Sequence, residues 1–187
     1  MTLFEPIPQV AILGARGIGQ VHARLFQKSG ANVCAILGST MRTARQAAEG
    51  LHQSFGISPK PFDNLEKLIQ EAQPDALSIC TPAEYHFDQV LTAFEQGVPV
   101  FCEKPLFWEN DLSPESLDIK LTLLGEHKKR CISVNTCNAY FLENALEETG
   151  RPSIINSFSF RFYTQGPHQG KEIAVDLLPH GFSLLIS

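Results

Sequence analysis

The sequence lacks the residue spacings by which proteins usually bind zinc. It contains no C-x-x-C pair, and its six histidines form no H-x-x-x-H or H-E-x-x-H motif, so a metal site has little support. The cysteines are odd in number, and four of the five lie in apolar, strand-like runs. This favours buried, reduced thiols in a cytosolic protein over disulfides. The cysteines are Cys34, Cys80, Cys102, Cys131 and Cys137.

Positive charge is also scarce. The chain has 15 Lys and Arg residues against 20 Asp and Glu residues, a net charge of −5, and no continuous basic stripe. These features argue against nucleic acid or an anionic membrane as the main partner and favour a small polar molecule. No run is long enough to cross a bilayer, and the N-terminus has neither a charged flank before a long apolar run nor a twin-arginine signal. We therefore expect a cytoplasmic protein.

Short apolar runs alternate with longer amphipathic ones, which is typical of βαβ units and a parallel sheet. The predicted strands are Gln9 to Leu13, Asn32 to Leu37, Ala76 to Cys80, Val98 to Cys102 and Cys131 to Val134. Predicted helices are about Gly19 to Ser29, with Val21, Leu25 and Phe26 buried; Met41 to Phe55; a helix capped by Asp63 that carries Leu65, Leu68 and Ile69; a helix carrying Val90, Leu91 and Phe94; Ser113 to about Lys129; and about Tyr140 to Thr149.

The 187 residues, of which 43% are hydrophobic, suffice for one full core and part of a second. We predict an α/β fold, with a doubly wound Rossmann sheet in residues 1–125 and the beginning of an α+β substrate and dimerisation domain in 126–187. In the second part, Ile154 to Tyr163 alternates like a strand, Gln165 to Gly170 is rich in turn formers, and an apolar helix begins near Asp176. We expect either an unfinished domain or a truncated product, and a homo-oligomer if the full C-terminal sheet exists.

The first chemical motif is Gly14-Ala15-Arg16-Gly17-Ile18-Gly19, between a predicted strand and a predicted helix. Glycines in such a turn let the backbone approach a pyrophosphate, which then sits at the positive end of the helix dipole. Arg16 occupies the position of the middle glycine of G-x-G-x-x-G. The context favours dinucleotide binding, and the alternative is a strand–helix turn that binds nothing.

The second motif follows the second strand, where NAD-specific sites usually place an acidic residue that binds the ribose hydroxyls. Gly38 stands there, so nothing repels a 2′-phosphate. Ser39 and Thr40 offer hydroxyl groups and Arg42 offers a charge-assisted partner. We therefore predict NADP as the preferred cofactor, with NAD possible. The alternative is that Ser39 or Thr40 caps the next helix while Arg42 faces solvent.

The third motif is Cys102-Glu103-Lys104-Pro105 at the end of a buried strand. Ligands of open parallel sheets bind beyond the carboxyl ends of the strands, so Lys104 projects toward the predicted site. A lysine there could hydrogen-bond the reacting oxygen, stabilise an alkoxide or exchange a proton. The alternative is a surface ion pair between Glu103 and Lys104.

These motifs together resemble the Gfo/Idh/MocA family, the glucose–fructose oxidoreductase and inositol dehydrogenase family. The resemblance rests on Thr81-Pro82, on His86 after it, on Val100 to Pro105, and on Gly17 to Ala23 with its His22. It implies that Lys104 is the catalytic lysine of an NAD(P)-dependent enzyme acting on a sugar, inositol or related polyol. It also implies a set of residues on the nicotinamide side of the cofactor: Thr81, Pro82, His86 and Glu103.

A fourth segment, Asp176-Leu177-Leu178-Pro179-His180, resembles the D-x-x-x-H signature of the same family. The resemblance implies that His180 is the general acid/base and that Asp176 binds or orients the substrate. A spacing of four puts both side chains on one helical face, and an imidazole suits proton exchange near neutral pH. The alternative is that Asp176 is a helix cap and His180 a buried histidine.

Two other functions share features with this sequence. A non-catalytic NADP-binding sensor would keep the same fold, because fold does not determine function. A short-chain dehydrogenase would need a Y-x-x-x-K pair, and Tyr85, Tyr140 and Tyr163 have no lysine four residues later. The sequence therefore predicts an NADP-preferring oxidoreductase first and a sensor second.

Overall fold

The chain forms two compact units, Met1–Val134 and Asn135–Ser187. The structure, a computed structural model, describes residues 6–109, 111–127 and 130–151, together with 154, 157, 159, 161, 177–180 and 182–184. The strands in these ranges are β1 (Gln9–Leu13), β2 (Asn32–Leu37), β3 (Lys60–Phe62), β4 (Ala76–Ile79), β5 (Val100–Cys102) and β6 (Ile132–Val134). The helices of the first unit are α1 (Ile18–Lys28), α2 (Met41–Phe55), α3 (Leu65–Ala72), α4 (His86–Gln96) and α5 (Pro114–Glu126).

The strands form one parallel sheet in the order β3-β2-β1-β4-β5-β6. This is the strand order of the Rossmann fold, so the predicted α/β fold with a doubly wound N-terminal sheet is confirmed. The order reverses between β1 and β4, which are neighbours in the sheet. A crevice at such a point opens beyond the carboxyl ends of the strands.

The core lies on both faces of β1 and β4, as expected for central parallel strands. Ile12, Leu13, Leu77 and Ile79 are fully buried. One face is covered by α3 and α4 and the other by α1 and α2, giving two hydrophobic clusters. The packed sheet therefore positions the carboxyl ends of its strands, which is where the functional side chains are expected.

The buried face of α1 differs from the prediction. Its buried residues are Gly19, His22 and Ala23, whereas Val21 and Leu25 are 47% and 54% exposed. Two small residues on the buried face let the helix approach the sheet closely, and the histidine between them has hydrogen-bond partners inside the protein. Phe26, the third residue predicted to be buried, is partly buried and packs against the core. The prediction was therefore wrong for Val21 and Leu25, because side-chain hydrophobicity alone did not identify Gly19, His22 and Ala23.

Three further predictions need correction. The helix α3 is capped by Asn64 rather than Asp63, because the Asn64 side chain accepts a hydrogen bond of 2.7 Å from the Lys67 amide. The strand β3 was missed because it is only three residues long and contains Pro61. Cys131, predicted to be buried, is exposed because it precedes the edge strand β6.

Most other boundaries are confirmed or shift by a few residues. The helix α2 has the predicted bounds, and Gly56, which follows it, adopts a left-handed conformation. Ser113 caps α5 and Pro114 is its first residue, but the helix ends at Glu126 instead of near Lys129. Strand β4 ends one residue earlier than predicted and β5 begins two residues later.

The second unit contains α6 (Cys137–Thr149), which begins three residues before the predicted Tyr140. Residues 177–180 are helical, in agreement with the apolar helix predicted there. The strand predicted from Ile154 to Tyr163 lies largely outside the described residues, and the turn predicted from Gln165 to Gly170 lies entirely outside them. No helix in the described part of the chain is long and apolar enough to cross a membrane.

Candidate functional site

A cleft of about 830 Å³ opens beyond the carboxyl ends of β1, β2 and β4. Five predicted cofactor-binding residues line it: Gly14, Arg16, Ser39, Thr81 and Pro82. The other predicted residues belong to the surrounding segments but do not line this cleft: Gly17, Ile18, Gly19, Thr40, Arg42, His86, Glu103 and Lys104. The cleft thus brings together the glycine turn, the Gly38 segment and Thr81-Pro82, whereas the motif after β5, with Glu103 and Lys104, lies outside its lining.

The glycine turn is shaped by close backbone contacts. Gly14 has a φ of +82°, and a Cβ there would lie 2.9 Å from the Cys80 carbonyl oxygen. A Cβ on Gly19 would collide with the Gly14 carbonyl oxygen, so α1 can begin directly against the turn only because residue 19 is glycine. Gly17, with a φ of +52°, precedes α1 and provides no side-chain cap. The turn therefore leaves the start of α1 uncapped by side chains, as a phosphate-binding turn requires.

Among the described residues that line the cleft, the charged groups are one guanidinium and one carboxylate. Arg16, the departure from the glycine pattern, is exposed and lines the cleft beside Gly14. Asp63 lines it from the segment after β3. Sequence reasoning missed Asp63 as a site residue because β3 itself was missed.

The end of β2 is closely packed against α2. A Cβ on Gly38 would lie 2.5 Å from the Ala44 amide nitrogen and 2.8 Å from Thr43 Oγ1. Thr40 caps α2, and its hydroxyl accepts a hydrogen bond of 3.2 Å from the Thr43 amide, so the capping alternative is confirmed for Thr40. Ser39 and Thr43 line the cleft and their hydroxyl oxygens are 3.4 Å apart. Thr43 was missed because it lies inside a helix rather than in the loop.

The segment after β4 forms another wall of the cleft. The Thr81 hydroxyl donates a hydrogen bond of 2.6 Å to the Gln89 side-chain oxygen. Gln89 and Tyr85 also line the cleft, and neither was predicted. Both lie in the helical turn and helix that follow Pro82, so only their position in the folded chain identifies them.

The His86 side chain contacts two backbone carbonyl groups next to this wall. It is 1% exposed, with Nε2 2.7 Å from the Thr81 carbonyl oxygen and Nδ1 2.9 Å from the Pro105 carbonyl oxygen. A neutral ring donates to one of these carbonyls and a protonated ring to both. His86 therefore joins the segment after β4 to the segment after β5, in which Lys104 lies. The Lys104–Pro105 peptide is cis.

A second buried histidine contacts the other side of β5. His22 Nε2 is 3.0 Å from Glu103 Oε1, and its Nδ1 is 2.9 Å from Ser78 Oγ. Cys80 Sγ is 3.2 Å from the same Nδ1 and also lines the cleft. Burial raises the pKa of the Cys80 thiol to about 12, so this thiol is protonated and unreactive at neutral pH. The sequence contained no signal for the involvement of Ser78.

The predicted catalytic residues of the second unit are described only in part. His180 lies in the helical residues 177–180, and its carbonyl oxygen accepts a hydrogen bond of 2.9 Å from the Ser183 hydroxyl. Asp176 lies outside the described residues. Among the residues that the structure does describe, no group of three or more His, Cys, Asp or Glu side chains is placed to hold a metal ion.

Comparison with known proteins gives a family match over most of the first unit. The family model described as "Oxidoreductase family, NAD-binding Rossmann fold" matches residues 9–136. Inositol 2-dehydrogenase of Paracoccus denitrificans is 33% identical over 100 residues, which is 52% of this chain and 29% of that protein. D-glucoside 3-dehydrogenase of Escherichia coli is 30% identical over 99 residues, again 52% of this chain and 27% of that protein. The chain thus matches less than a third of these relatives' length.

Solved structures share the fold. Myo-inositol 2-dehydrogenase from Lactobacillus plantarum superposes with a TM-score of 0.61 at 22% identity, covering 78% of this chain and 42% of that one. Scyllo-inositol dehydrogenase from Lactobacillus casei, solved with bound NAD(H) and scyllo-inositol, has a TM-score of 0.60 at 18% identity and the same coverage. At this level of identity the likeness supports the fold.

Proposed function

We propose that this chain, which belongs to the Gfo/Idh/MocA oxidoreductase family, binds a nicotinamide dinucleotide and transfers hydride between it and a carbinol carbon of a sugar, inositol or related polyol. The observation that carries the proposal is the cleft at the reversal point of the sheet. It joins the glycine turn after β1, the Gly38 segment after β2 and Thr81-Pro82 after β4. These are the three places where a Rossmann domain holds a dinucleotide.

The residues of the cleft fit such a ligand. The backbone of Gly14 to Arg16 would hold the pyrophosphate, and the Arg16 guanidinium would neutralise part of its charge. Gly38, Ser39 and Thr43 would contact the adenosine ribose. The Thr81-Pro82 wall would then face the nicotinamide, because it lies across the reversal point from β2.

The proposed reaction needs a hydride carrier and groups that manage a hydroxyl proton. The bound nicotinamide supplies hydride chemistry. Lys104, at the end of β5, would hydrogen-bond the reacting oxygen and stabilise its negative charge. His180 would exchange the hydroxyl proton, and Asp176 would bind or orient the substrate, as the family resemblance implies.

We further propose NADP as the preferred nucleotide. The support is that Gly38 and Ser39 place no carboxylate at the end of β2, while two hydroxyl groups, of Ser39 and Thr43, face the cleft. Asp63 acts in the opposite direction, because a carboxylate on the same wall disfavours an additional phosphate. Arg42 is exposed and lies outside the lining, so its contribution to the preference is the smaller one.

The test of function is a nucleotide titration that uses the single tryptophan as donor. Trp108 lies four residues after Lys104 and is 39% exposed, and reduced nicotinamide absorbs where tryptophan emits. We expect NADPH to quench Trp108 emission with a lower dissociation constant than NADH. Asp63→Asn should tighten NADPH binding more than NADH binding. Tighter binding of NADH by the wild-type chain would reject the NADP preference, and no quenching by either nucleotide would reject the function.

A polyol turnover screen with the same preparation completes the test. Oxidation of an inositol or sugar coupled to reduction of the nucleotide is expected. Tight NADPH binding with no turnover of any polyol would instead favour the non-catalytic sensor.

A further inference from the structure

We propose that His22 is a positioning residue for Lys104, which it orients by holding the Glu103 carboxylate on the α1 side of β5. The inference rests on the role proposed for Lys104 above. It concerns a residue of α1 that would touch neither substrate nor cofactor. The proposal rests on a buried series of hydrogen-bonded side chains, which runs from Ser78 in β4 through His22 to Glu103 after β5.

The side-chain contacts of His22 are shielded from solvent. His22 is 5% exposed, Ser78 is fully buried and the Glu103 side chain is 13% exposed. The distances are 3.0 Å from Nε2 to Glu103 Oε1 and 2.9 Å from Nδ1 to Ser78 Oγ. Hydrogen bonds are stronger in such surroundings than at the surface, and losing one partner leaves the other unsatisfied. The carboxylate is therefore held in one place.

The position of Glu103 determines the backbone from which Lys104 extends. Phe101 and Glu103 are two residues apart and both contact His22, the former with a ring-centroid distance of 5.4 Å, so they share the α1 side of β5. The Glu103 amide also donates a hydrogen bond of 2.9 Å to the Ile79 carbonyl. On the other side of Lys104, the Pro105 carbonyl lies 2.9 Å from His86 Nδ1. Both neighbours of Lys104 are thus anchored to a buried histidine.

The hydrogen-bonded series of Ser78, His22 and Glu103 also reaches the cleft. The helix α1, which carries His22, begins at the glycine turn, and Cys80, 3.2 Å from His22 Nδ1, lines the cleft. Nucleotide seated on the turn and the lysine at the end of β5 are therefore connected through a few packed side chains. We expect loss of the His22–Glu103 contact to lower kcat while leaving nucleotide affinity unchanged, since the turn itself keeps its shape.

The two ring nitrogens allow a matched pair of variants. Glutamine places its amide near the position of Nε2, so His22→Gln keeps a donor for Glu103 and loses the Ser78 contact. Asparagine places its amide near Nδ1, so His22→Asn keeps the Ser78 contact and loses Glu103. Both variants put a neutral amide in the same buried site. They therefore differ chiefly in the contact that the proposal invokes.

The experiment follows Lys104 directly in protein carrying lysine labelled with ¹³C at Cε. Its ¹H–¹³C signal is assigned by its absence from Lys104→Arg. In His22→Gln the Lys104 signal should coincide with that of the wild type, and in His22→Asn and Glu103→Ala it should move toward the signals of the exposed Lys60 and Lys67. Where turnover is measurable, kcat should fall by about 100-fold in His22→Asn and remain near the wild-type value in His22→Gln, with the NADPH dissociation constant of both variants unchanged.

His52 is the control, because its Nδ1 is also 2.9 Å from a serine hydroxyl, that of Ser58, but at an exposed site away from β5. His52→Asn should leave the Lys104 signal in place. An unmoved signal in His22→Asn would overturn the proposal, and so would equal movement in both His22 variants, which would reduce His22 to a packing residue. Should His22→Asn fail to fold, Glu103→Ala decides alone. Absence of nucleotide binding by the wild type would reject the proposed function, whereas these comparisons of the Lys104 signal need no nucleotide.

Discussion

Replacing Gly38 by alanine should destabilise the first unit, although the glycine lies in an ordinary backbone conformation. A Cβ at residue 38 would lie 2.5 Å from the Ala44 amide nitrogen and 2.8 Å from its Cα. These are backbone atoms of the first turn of α2 and cannot rotate away. Forcing an extra methyl group into such a contact costs about 1–3 kcal/mol. For a chain of this size that corresponds to a fall in Tm of roughly 2–12 °C.

The matched control is Gly50→Ala, in the interior of the same helix. A Cβ at residue 50 meets no atom within 4 Å, so alanine should stabilise the helix by about 0.5–1 kcal/mol. The assay is thermal unfolding followed by circular dichroism. An unchanged or higher Tm for Gly38→Ala would refute the steric argument. Gly38 would then matter only because it stands where NAD-specific sites have an acidic residue. In that case Gly38→Asp should shift the cofactor preference toward NAD without loss of stability.

The remaining predictions concern the cleft and the two buried thiols. Arg16→Ala should weaken NADPH binding about tenfold and make it less sensitive to salt, with Arg45→Ala as the exposed control; equal affinities in a fluorescence titration would remove Arg16 from the site. Lys104→Ala should abolish turnover while NADPH still binds, and unchanged turnover would exclude the lysine from the reaction. Burial raises the pKa of both Cys80 and Cys102 to about 12, so the folded state keeps these protons after the unfolded chain loses them. The free energy of unfolding should therefore fall above pH 9, by up to about 1.4 kcal/mol per pH unit and thiol, and Cys102→Ala should show a shallower fall in urea unfolding at pH 8 to 10.

The elements that the sequence predicted well are those with a local signal. Apolar runs over β1 and β2, the bounds of α2 and the cap at Ser113 all follow from neighbouring residues. The buried face of α1 was predicted only in part: Phe26 packs against the core, but Gly19 and Ala23 are buried because they are small and not because they are hydrophobic. Size complementarity between a helix and a sheet has no periodic signature in the sequence.

The composition of the cleft depended on strand order. Asp63 and Ser39 line one wall because β3 pairs with β2, a pairing that only the folded sheet reveals. The contact between His22 and Glu103 has the same origin, since it joins the first helix to the segment that follows the fifth strand. The family motifs placed His22 and Glu103 near the site, but they did not predict that the two side chains contact each other.

A crystal structure of the chain with bound NADPH would test the proposed function most directly. The pyrophosphate should lie on the backbone of Gly14 to Arg16 and the nicotinamide ring next to the Thr81-Pro82 wall, with the Lys104 ammonium group directed at the hydride-bearing face. A nucleotide bound elsewhere, or a nicotinamide ring far from Lys104, would contradict the proposed function.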